Sequence, residues 1–350
     1  MDSNNVHIIS QQQTLLDALK RINDIKNAPL VLFAVDEQNR MCGTITDGDI
    51  RRALIKGLNV DDKIFKGMHR NFNFLRKGEN DDVANLHRQR EMRMRLVPIL
   101  DAEDRVCEII NLEKYRTKLP IDAVLMAGGK GERLRPLTEK IPKPLIKVGD
   151  KCIIDYNVDR LLTYGINHIS VTINYLGEQI EQHFQEEREG VKILTVREPK
   201  YLGTIGSIKF VQVFYNDSVL VMNSDLFTNI DYEDFYLHFC QHDADMSVAS
   251  VPYVVKVPYG VFNLEGRDIK GVLEKPTYSY YANAGIYLIK KECLSLIPEN
   301  ILFNATDFMD KLIATRHKVI RYPISGLWID IGQHDELARA KEIVKHIKGF

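Results

Sequence analysis

The chain is poor in cysteine, and none of its 5 cysteines (Cys42, Cys107, Cys152, Cys240, Cys293) sits in a Cys-x-x-Cys pair. That excludes a disulfide framework or a zinc ribbon as the organising device and fits reduced thiols in the cytoplasm. No apolar run approaches the roughly 20 residues of a membrane span. The opening MDSNNVHIIS lacks a basic segment followed by a long apolar core, so no signal peptide is expected. Charge of either sign is not in excess: Lys and Arg number 47, Asp and Glu 48, and the formal net charge is -1. Neither nucleic acid nor an anionic membrane is therefore expected as a partner. What is present is a hydrophobic fraction of 45% and a charged fraction of 27% over 350 residues. This is the composition of a soluble globular protein with room for two domains of roughly 100–200 residues each.

The most informative stretch runs from Ile121 to Val148. Ala123–Ala127 is a short apolar run of the kind found in buried parallel strands. It breaks into Gly128-Gly129-Lys130-Gly131, with Arg133 and Arg135 just beyond. Glycines at a strand end let the backbone turn sharply and bring its N–H groups against a ligand. The cations add fixed positive charge at the same place, which suits a triphosphate. No Gly-Lys-Ser/Thr closes the loop, so it is not a Walker A motif. Leu134 stands where a Rossmann fingerprint needs its last small residue. Pro142-Lys143-Pro144 follows, and two prolines fixing φ predict that Lys143 projects from a stiff extended segment.

Residues 1–117 contain an internal repeat. Val35-Asp-Glu-Gln-Asn-Arg40-Met-Cys42 recurs as Leu100-Asp-Ala-Glu-Asp-Arg105-Val-Cys107. Each copy reads as strand, polar turn, strand: Leu30–Val35 into Met41–Thr46, and Leu96–Leu100 into Val106–Ile110. A helical pattern precedes each pair, clearest at Thr14–Ile25 with Thr14 as N-cap. Units this small are expected to pack on each other. The short charged Tyr115–Pro120 segment reads as a linker.

From Ile121 to about Asn223 strand and helix alternate, which predicts a parallel sheet covered by helices. The expected elements are helix Ile153–Tyr164, strand His168–Asn174, helix Gly177–Glu187, strand Val191–Val196, helix Thr204–Phe214 and strand Ser218–Asn223. Ligands lie at the C-terminal ends of such strands, where the glycine loop, Glu198–Gly206 and Asp225 all fall. In the last third, Met246–Pro252, Gly260–Leu264, Ile269–Glu274, Ala282–Ile289 and Lys318–Pro323 read as strands. Ala305–Thr315 and Asp335–Ile347 read as helices.

The run from Leu125 to Thr138, followed by Pro142-Lys-Pro-Leu145, resembles the signature of sugar-1-phosphate nucleotidyltransferases. The resemblance implies an α/β catalytic domain over residues 121–350. Its sheet would be Rossmann-like, mixed and mainly parallel, covered by helices in the manner of GT-A-like enzymes. It implies that Arg135, Lys143, Asp225 and Lys275 carry the chemistry. Leu125, Ala127, Gly128, Gly129, Gly203 and Thr204 would lie at the nucleotide, and Glu198 could accept from guanine N1 and N2. Tyr259, Gly260, Glu274, Lys275 and Asn283 would lie on the sugar side. Asp225, with Asp330 of the Trp328-Ile-Asp330 run, would hold Mg2+, since two carboxylates with phosphate oxygens and waters suit that ion. The substrates implied are a nucleoside triphosphate and a sugar 1-phosphate. The Arg-Pro-Leu-Thr and Pro-Lys-Pro-Leu forms look closest to guanylyltransferases acting on mannose 1-phosphate or heptose 1-phosphate, and the N-terminal half to those acting on glucosamine 1-phosphate. Thymidylyl or uridylyl transfer, or a non-catalytic nucleotide-sensing subunit, is the alternative.

Residues 1–117 resemble a pair of CBS repeats, an α+β module that commonly dimerises, so a homodimer or higher homo-oligomer is expected. In the first copy Thr46 and Asp49 stand where that family holds the phosphate and ribose of an adenine nucleotide. The second copy has Asn111 and Lys114 there, and a lysine cannot accept from ribose hydroxyls. The competing reading is that Thr46 and Asp47 simply cap a helix beginning at Gly48.

Overall fold

The computed structural model describes residues 6–25, 28–78, 82–113 and 117–346. The chain divides into two compact units, Met1–Arg116 and Thr117–Phe350. Lys114 and the first two residues of the expected linker, Tyr115 and Arg116, lie outside the described residues.

In the first unit β1 (Ile8–Ser10), α1 (Leu15–Asp24), β2 (Val31–Val35), β3 (Met41–Thr46) and α2 (Asp47–Ile55) form one repeat. The second comprises β4 (Leu75–Arg76), α3 (Val83–Glu91), β5 (Leu96–Leu100) and β6 (Val106–Asn111). Thr14 caps α1 as its sequence predicts: its hydroxyl accepts from the Asp17 N–H at 3.1 Å, and the Asp17 carboxylate accepts from the Thr14 N–H at 3.0 Å. The two repeated turns are built alike. Asp36 accepts from the N–H of Gln38 and Arg40 and from the Arg40 guanidinium. Asp101 does the same with Glu103 and Arg105. Asn39 and Asp104 both take the left-handed conformation that closes such a turn. The repeats share one core, in which Phe33 and Met41 pack with Leu96, Leu100 and Ile109. Neither sheet of three strands buries its second face without the other.

The second unit is built on a seven-stranded sheet. Its strands in chain order are β7 (Ile121–Ala127), then beyond the small hairpin β8 (Lys147–Val148) and β9 (Lys151–Cys152) come β10 (Ile169–Ile173), β11 (Leu194–Arg197) and β12 (Ser218–Asn223). After the short β13 (Leu226–Thr228) comes β14 (Met246–Lys256), and after the outlying hairpin β15 (Val261–Glu265) and β16 (Asp268–Leu273) comes β17 (Thr277–Lys290). The last sheet strand is β18 (Val319–Pro323), and β19 (Trp328–Asp330) pairs with β13. The spatial order is β11-β10-β7-β12-β17-β14-β18, and only β17 runs against its neighbours. The sheet is thus mixed and mainly parallel, as the resemblance implies, and its strands from β7 to β12 are parallel, as the alternation predicts. Helices α4 (Ile153–Thr163), α5 (Gly177–His183), α6 (Tyr232–Gln241), α7 (Ala305–Ala314) and α8 (His334–His346) complete it. Leu337, Ile343 and Val344 of α8 pack into a core with Phe227 and Ile329, while Ile347 lies outside the described residues.

Three local expectations are corrected. The helix expected over Thr204–Phe214 is a single 3-10 turn, Gly206–Phe210. The N–H groups of Ile205 and Gly206 turn to the Phe303 carbonyl instead of a helical ladder, and the following Val-Gln-Val-Phe-Tyr run disfavours helix. The helix expected over Gly177–Glu187 stops at His183, because Glu186 and Glu187 would crowd negative charge at the negative end of its dipole. Lys143 does not project from an extended segment. Only Pro142 is extended (φ -63, ψ 141), and Lys143–Leu145 is a 3-10 turn that turns the lysine inward.

Candidate functional site

The central parallel strands end together at one edge of the sheet. There the glycine loop after β7 and the Ser224-Asp225 turn after β12 border a cavity of about 680 Å3. Strands β7 and β12 are neighbours, with Met126 opposite Asn223. The Ser224 hydroxyl donates to the Met126 carbonyl at 2.7 Å and ties the two strand ends. The buried Asn157 amide of α4 donates to the Leu226 carbonyl at 2.9 Å and holds the far side of the turn.

The glycines have separate reasons. A Cβ on Gly128 would lie 2.2 Å from Glu198 Oε1. Gly131 has φ +62, and a Cβ there would press on Thr138 and Lys143 at 3.0–3.1 Å. Gly129 faces open space, so its freedom serves the loop rather than its packing. The Thr138 hydroxyl donates to the Gly131 carbonyl at 2.9 Å and pins the loop.

Two carboxylates and one ammonium meet at the cavity. The ladder between β13 and β19 sets Asp330 opposite Leu226 and so beside Asp225. The Ile331 N–H donates to the Asp225 carbonyl at 3.2 Å. Lys143 Nζ bonds Asp225 and lies 3.7 Å from Asp330 Oδ1. Asp225 Oδ1 is buried with no hydrogen-bond partner. Burial, and then repulsion from Asp225, holds the Asp330 carboxyl above the usual carboxylate range, against the pull of Lys143 and Arg133. A buried, unpartnered carboxylate oxygen beside a second carboxylate is a donor set that fits a hard divalent cation such as Mg2+. Asp225 and Asp330 are the residues that would hold it.

Another part of the cavity wall is set by Glu198, which is buried at 3% exposure. Burial pushes its carboxyl up to about 7, although it accepts from the Leu202 N–H at 3.0 Å. The loop after it is fastened to the segment before α7. Gly203 has φ +82, and a Cβ there would strike the Phe303 carbonyl at 2.6 Å. The Thr204 hydroxyl accepts from the Ala305 N–H at 2.9 Å. Ile205 is fully buried in the main core.

Of the residues expected at the nucleotide, Ala127, Gly128, Gly129, Glu198, Gly203 and Thr204 line the cavity, together with Lys143 and Asp225. Leu125 does not, because its side chain is fully buried inside β7. Arg135 does not either. It is exposed, 3.8 Å from Glu132, and the arginine on the wall is Arg133. The Arg133 guanidinium covers Gly332, where a Cβ would come within 2.9–3.2 Å of it. The motif spacing offered both arginines, and only the turn beginning at Gly131 separates them. Asn223, Ser224 and Asn174 also border the cavity and were not among the expected residues.

The sugar-side residues are not on this cavity wall. Tyr259 is exposed, and Glu274 and Lys275 follow β16, Lys275 with φ 44. A Cβ on Gly260 would lie 3.3 Å from the Glu274 carboxylate, so that pair is adjacent. Asn283 donates to the Tyr287 hydroxyl at 2.8 Å. Gly285 then lets Asn223 of the cavity come close, since a Cβ there would sit 2.5 Å from its amide.

In the first unit a separate cavity of about 600 Å3 is lined by Thr46, Phe72, Arg93 and Arg95 among others. Asp49 is not on its wall. It is buried, with its carboxylate accepting from the Thr46 N–H (2.9 Å) and hydroxyl (2.7 Å) and facing His69 at 2.9 Å. Thr46 is the N-cap of α2, which begins at Asp47 rather than Gly48, and Asp49 completes its capping box. Asn111 ends β6 and accepts from the Glu113 N–H, with no counterpart of α2 among the described residues that follow.

The cysteines form no disulfide. Cys152, Asp155 and His183 bring their ligand atoms within 4.8 Å of one another, an arrangement the scattered spacing did not foretell. The Arg188 guanidinium stands 2.7 Å from Asp155 and supplies the positive charge there. Among the described residues no helix is long and apolar enough to cross a membrane.

A mainly parallel sheet with a cationic glycine loop and a carboxylate pair at its strand ends defines a nucleotide-handling α/β domain. The family model described as "Nucleotidyl transferase" matches residues 122–346, and the chain belongs to that family. The CBS domain model matches residues 1–56, so a CBS domain stands at the N-terminus. A Sulfolobus acidocaldarius protein assigned as a mannose-1-phosphate guanyltransferase is 31% identical over 66% of this chain and 66% of its own length. The Danio rerio mannose-1-phosphate guanylyltransferase catalytic subunit beta is 30% identical over 60% of this chain and 61% of its own. The chain thus spans a little under two thirds of these relatives. A Bacillus anthracis structure, assigned as a glucose-1-phosphate thymidylyltransferase in complex with a sucrose, has 26% identity and a TM-score of 0.52. It covers 66% of this chain and 97% of its own.

Proposed function

We propose that this chain is a sugar-1-phosphate guanylyltransferase, joining a nucleoside triphosphate, GTP by preference, to mannose 1-phosphate or glucosamine 1-phosphate. The observation that carries the reading is the meeting of Lys143 with Asp225 and Asp330 beside the glycine-loop cavity, which Lys143 and Asp225 line. The names of the relatives favour guanylyl transfer and mannose 1-phosphate.

In the proposed reaction an oxygen of the sugar phosphate attacks the α-phosphorus of the triphosphate in line. The bond from that phosphorus to the bridging oxygen breaks, and pyrophosphate leaves with the electron pair. The attacking oxygen is already anionic, so no strong base is required and catalysis reduces to alignment and charge neutralisation. The loop N–H groups from Gly128 to Gly131 would cradle phosphate. Lys143 and Arg133 would offset charge on the α-phosphate and the leaving group. Lys275 would steady the incoming phosphate, with Glu274 and Asn283 toward the sugar hydroxyls. Glu198, as a carboxylate, would accept from guanine N1–H and N2–H. Mg2+, held by Asp225 and Asp330, would supply Lewis-acid neutralisation of phosphate charge when bound.

The cavity of the first unit is proposed to take a nucleotide, its phosphate near Thr46 and the Arg93 and Arg95 side chains. Homodimerisation through the CBS unit is part of the same proposal. Pyrophosphate release from four triphosphates against a panel of sugar 1-phosphates tests the catalytic reading. Turnover with GTP above the other three supports it, and turnover with none overturns it.

A further inference from the structure

The place where a divalent ion would sit already holds a cation of the protein's own. Lys143 bonds Asp225 and stands 3.7 Å from Asp330, and its side chain is only 10% exposed. Its base is fixed by the turn that carries it and packs closely against Gly131. The residue sits in a 3-10 turn between Pro142 and Pro144, and a Cβ on Gly131 would lie 3.1 Å from its Cβ and 3.5 Å from its Cδ. The end of its side chain is free to change partners, and Lys143 is itself one of the residues that line the cavity. Meanwhile Asp225 Oδ1 stays buried and unpartnered, so the ammonium satisfies the carboxylate pair incompletely.

Resting on the metal-site reading above, we infer that Lys143 is the exchangeable counter-ion of Asp225 and Asp330, and that it competes directly with the divalent ion for them. An ammonium on one oxygen of Asp225 and a divalent ion on the free Oδ1 repel each other across the same carboxylate, so each weakens the other's hold. Without nucleotide the ammonium holds the pair and the ion binds weakly. An incoming triphosphate offers Lys143 a second set of anionic oxygens at the cavity wall. The ammonium shifts to the phosphates, the carboxylates are released, and the ion enters with the nucleotide rather than before it. Ordered entry follows from a single lysine having two anionic partners within its reach.

Binding of Mn2+ to the nucleotide-free full chain tests this, read by paramagnetic resonance of the free ion. Lys143→Met is expected to bind Mn2+ at least about tenfold more tightly than the parent, since the competitor is gone. Equal or weaker binding by a folded Lys143→Met overturns the inference. A second measurement needs no variant: saturating Mn2+ is expected to raise labelling of Lys143 in the parent by an amine-reactive reagent, read by mass spectrometry. Labelling that Mn2+ leaves unchanged also overturns it. Asp225→Asn separates this failure from failure of the metal-site reading. If Asp225→Asn abolishes Mn2+ binding while Lys143→Met leaves it unchanged, the site is correct and the competition is not. If Asp225→Asn binds as the parent does, the metal-site reading falls and takes the competition with it.

Discussion

Gly128 and Glu198 are matched to each other: a side chain of even one carbon on Gly128 would lie 2.2 Å from Glu198 Oε1. The carboxylate is buried and tethered by the Leu202 N–H, so it cannot simply swing aside. Gly128→Ala is therefore expected to displace Glu198 and the base end of the cavity. Overpacking of this kind costs about 1–3 kcal/mol. The melting temperature should fall by several degrees and the KM for GTP should rise at least about tenfold. Thermal melts with steady-state kinetics check both, and an unchanged KM would mean that the base lies elsewhere.

The same carboxyl gives a pH dependence of definite sign. Burial raises it from an ordinary value of 4.5 to about 7. Its contribution to folding stability is fully present below 4.5 and is lost as pH rises through about 7, by about 3 kcal/mol at full ionisation. Glu198→Gln keeps the shape without the charge. Its melting temperature, measured without nucleotide, should gain on the parent's steadily between pH 4.5 and pH 8. Guanine binding should run the other way, because N1–H and N2–H require the ionised form. The parent's KM for GTP should fall as pH rises through about 7, and Glu198→Gln should flatten that profile and lose preference for guanine.

How much of this was legible in the sequence depends on the distance over which each feature is decided. Local devices were readable. The Ser218–Asn223 strand falls at its expected bounds, Thr14 caps α1, and the repeated Asp-to-Arg turns make the same hydrogen bonds. Features set by partners far along the chain were not. The β13–β19 ladder that seats Asp330 beside Asp225 joins two three-residue strands, each too short to show a period. Lys143 turns inward because Asp225 and Asp330 draw it, which its two flanking prolines cannot reveal. Arg133 and Arg135 are alike on paper, and only the left-handed turn at Gly131 decides that Arg133 faces the cavity. The helix expected over Thr204–Phe214 was lost to hydrogen bonds from a segment about a hundred residues away.

The two lysines should separate by substrate. Lys143 lies at the carboxylate pair and lines the glycine-loop cavity, while Lys275 is exposed beyond β16. Lys143→Ala should lower kcat by at least about 100-fold, in the range of losing a charge-stabilising group. Lys275→Ala should raise the KM for sugar 1-phosphate more than that for triphosphate. Equal effects of Lys275→Ala on the two KM values would remove the division of labour.

In the first unit Asp49 is held in the capping box of α2, so Asp49→Ala should cost about 1 kcal/mol through the cap alone. Nucleotide binding is better tested at the cavity wall. AMP titrated calorimetrically into the full chain should lose its binding in Arg95→Ala and keep it in Gly128→Ala, which alters only the glycine-loop cavity of the second unit. The reverse pattern would place the AMP site in the second unit, and no binding by the parent would leave the first unit without a nucleotide.

The central claim is that Asp225 and Asp330 share one ion over a reacting phosphate. Its most direct measurement is formation of the nucleotide sugar by mass spectrometry, from GTP and mannose 1-phosphate or glucosamine 1-phosphate with Mg2+, for the parent, Asp225→Asn and Asp330→Asn. The account predicts a GDP-sugar from the parent. It predicts at least a 100-fold loss in each variant, with melting temperatures within a few degrees of the parent's. Near-parental turnover by a folded Asp225→Asn at saturating Mg2+ would contradict it.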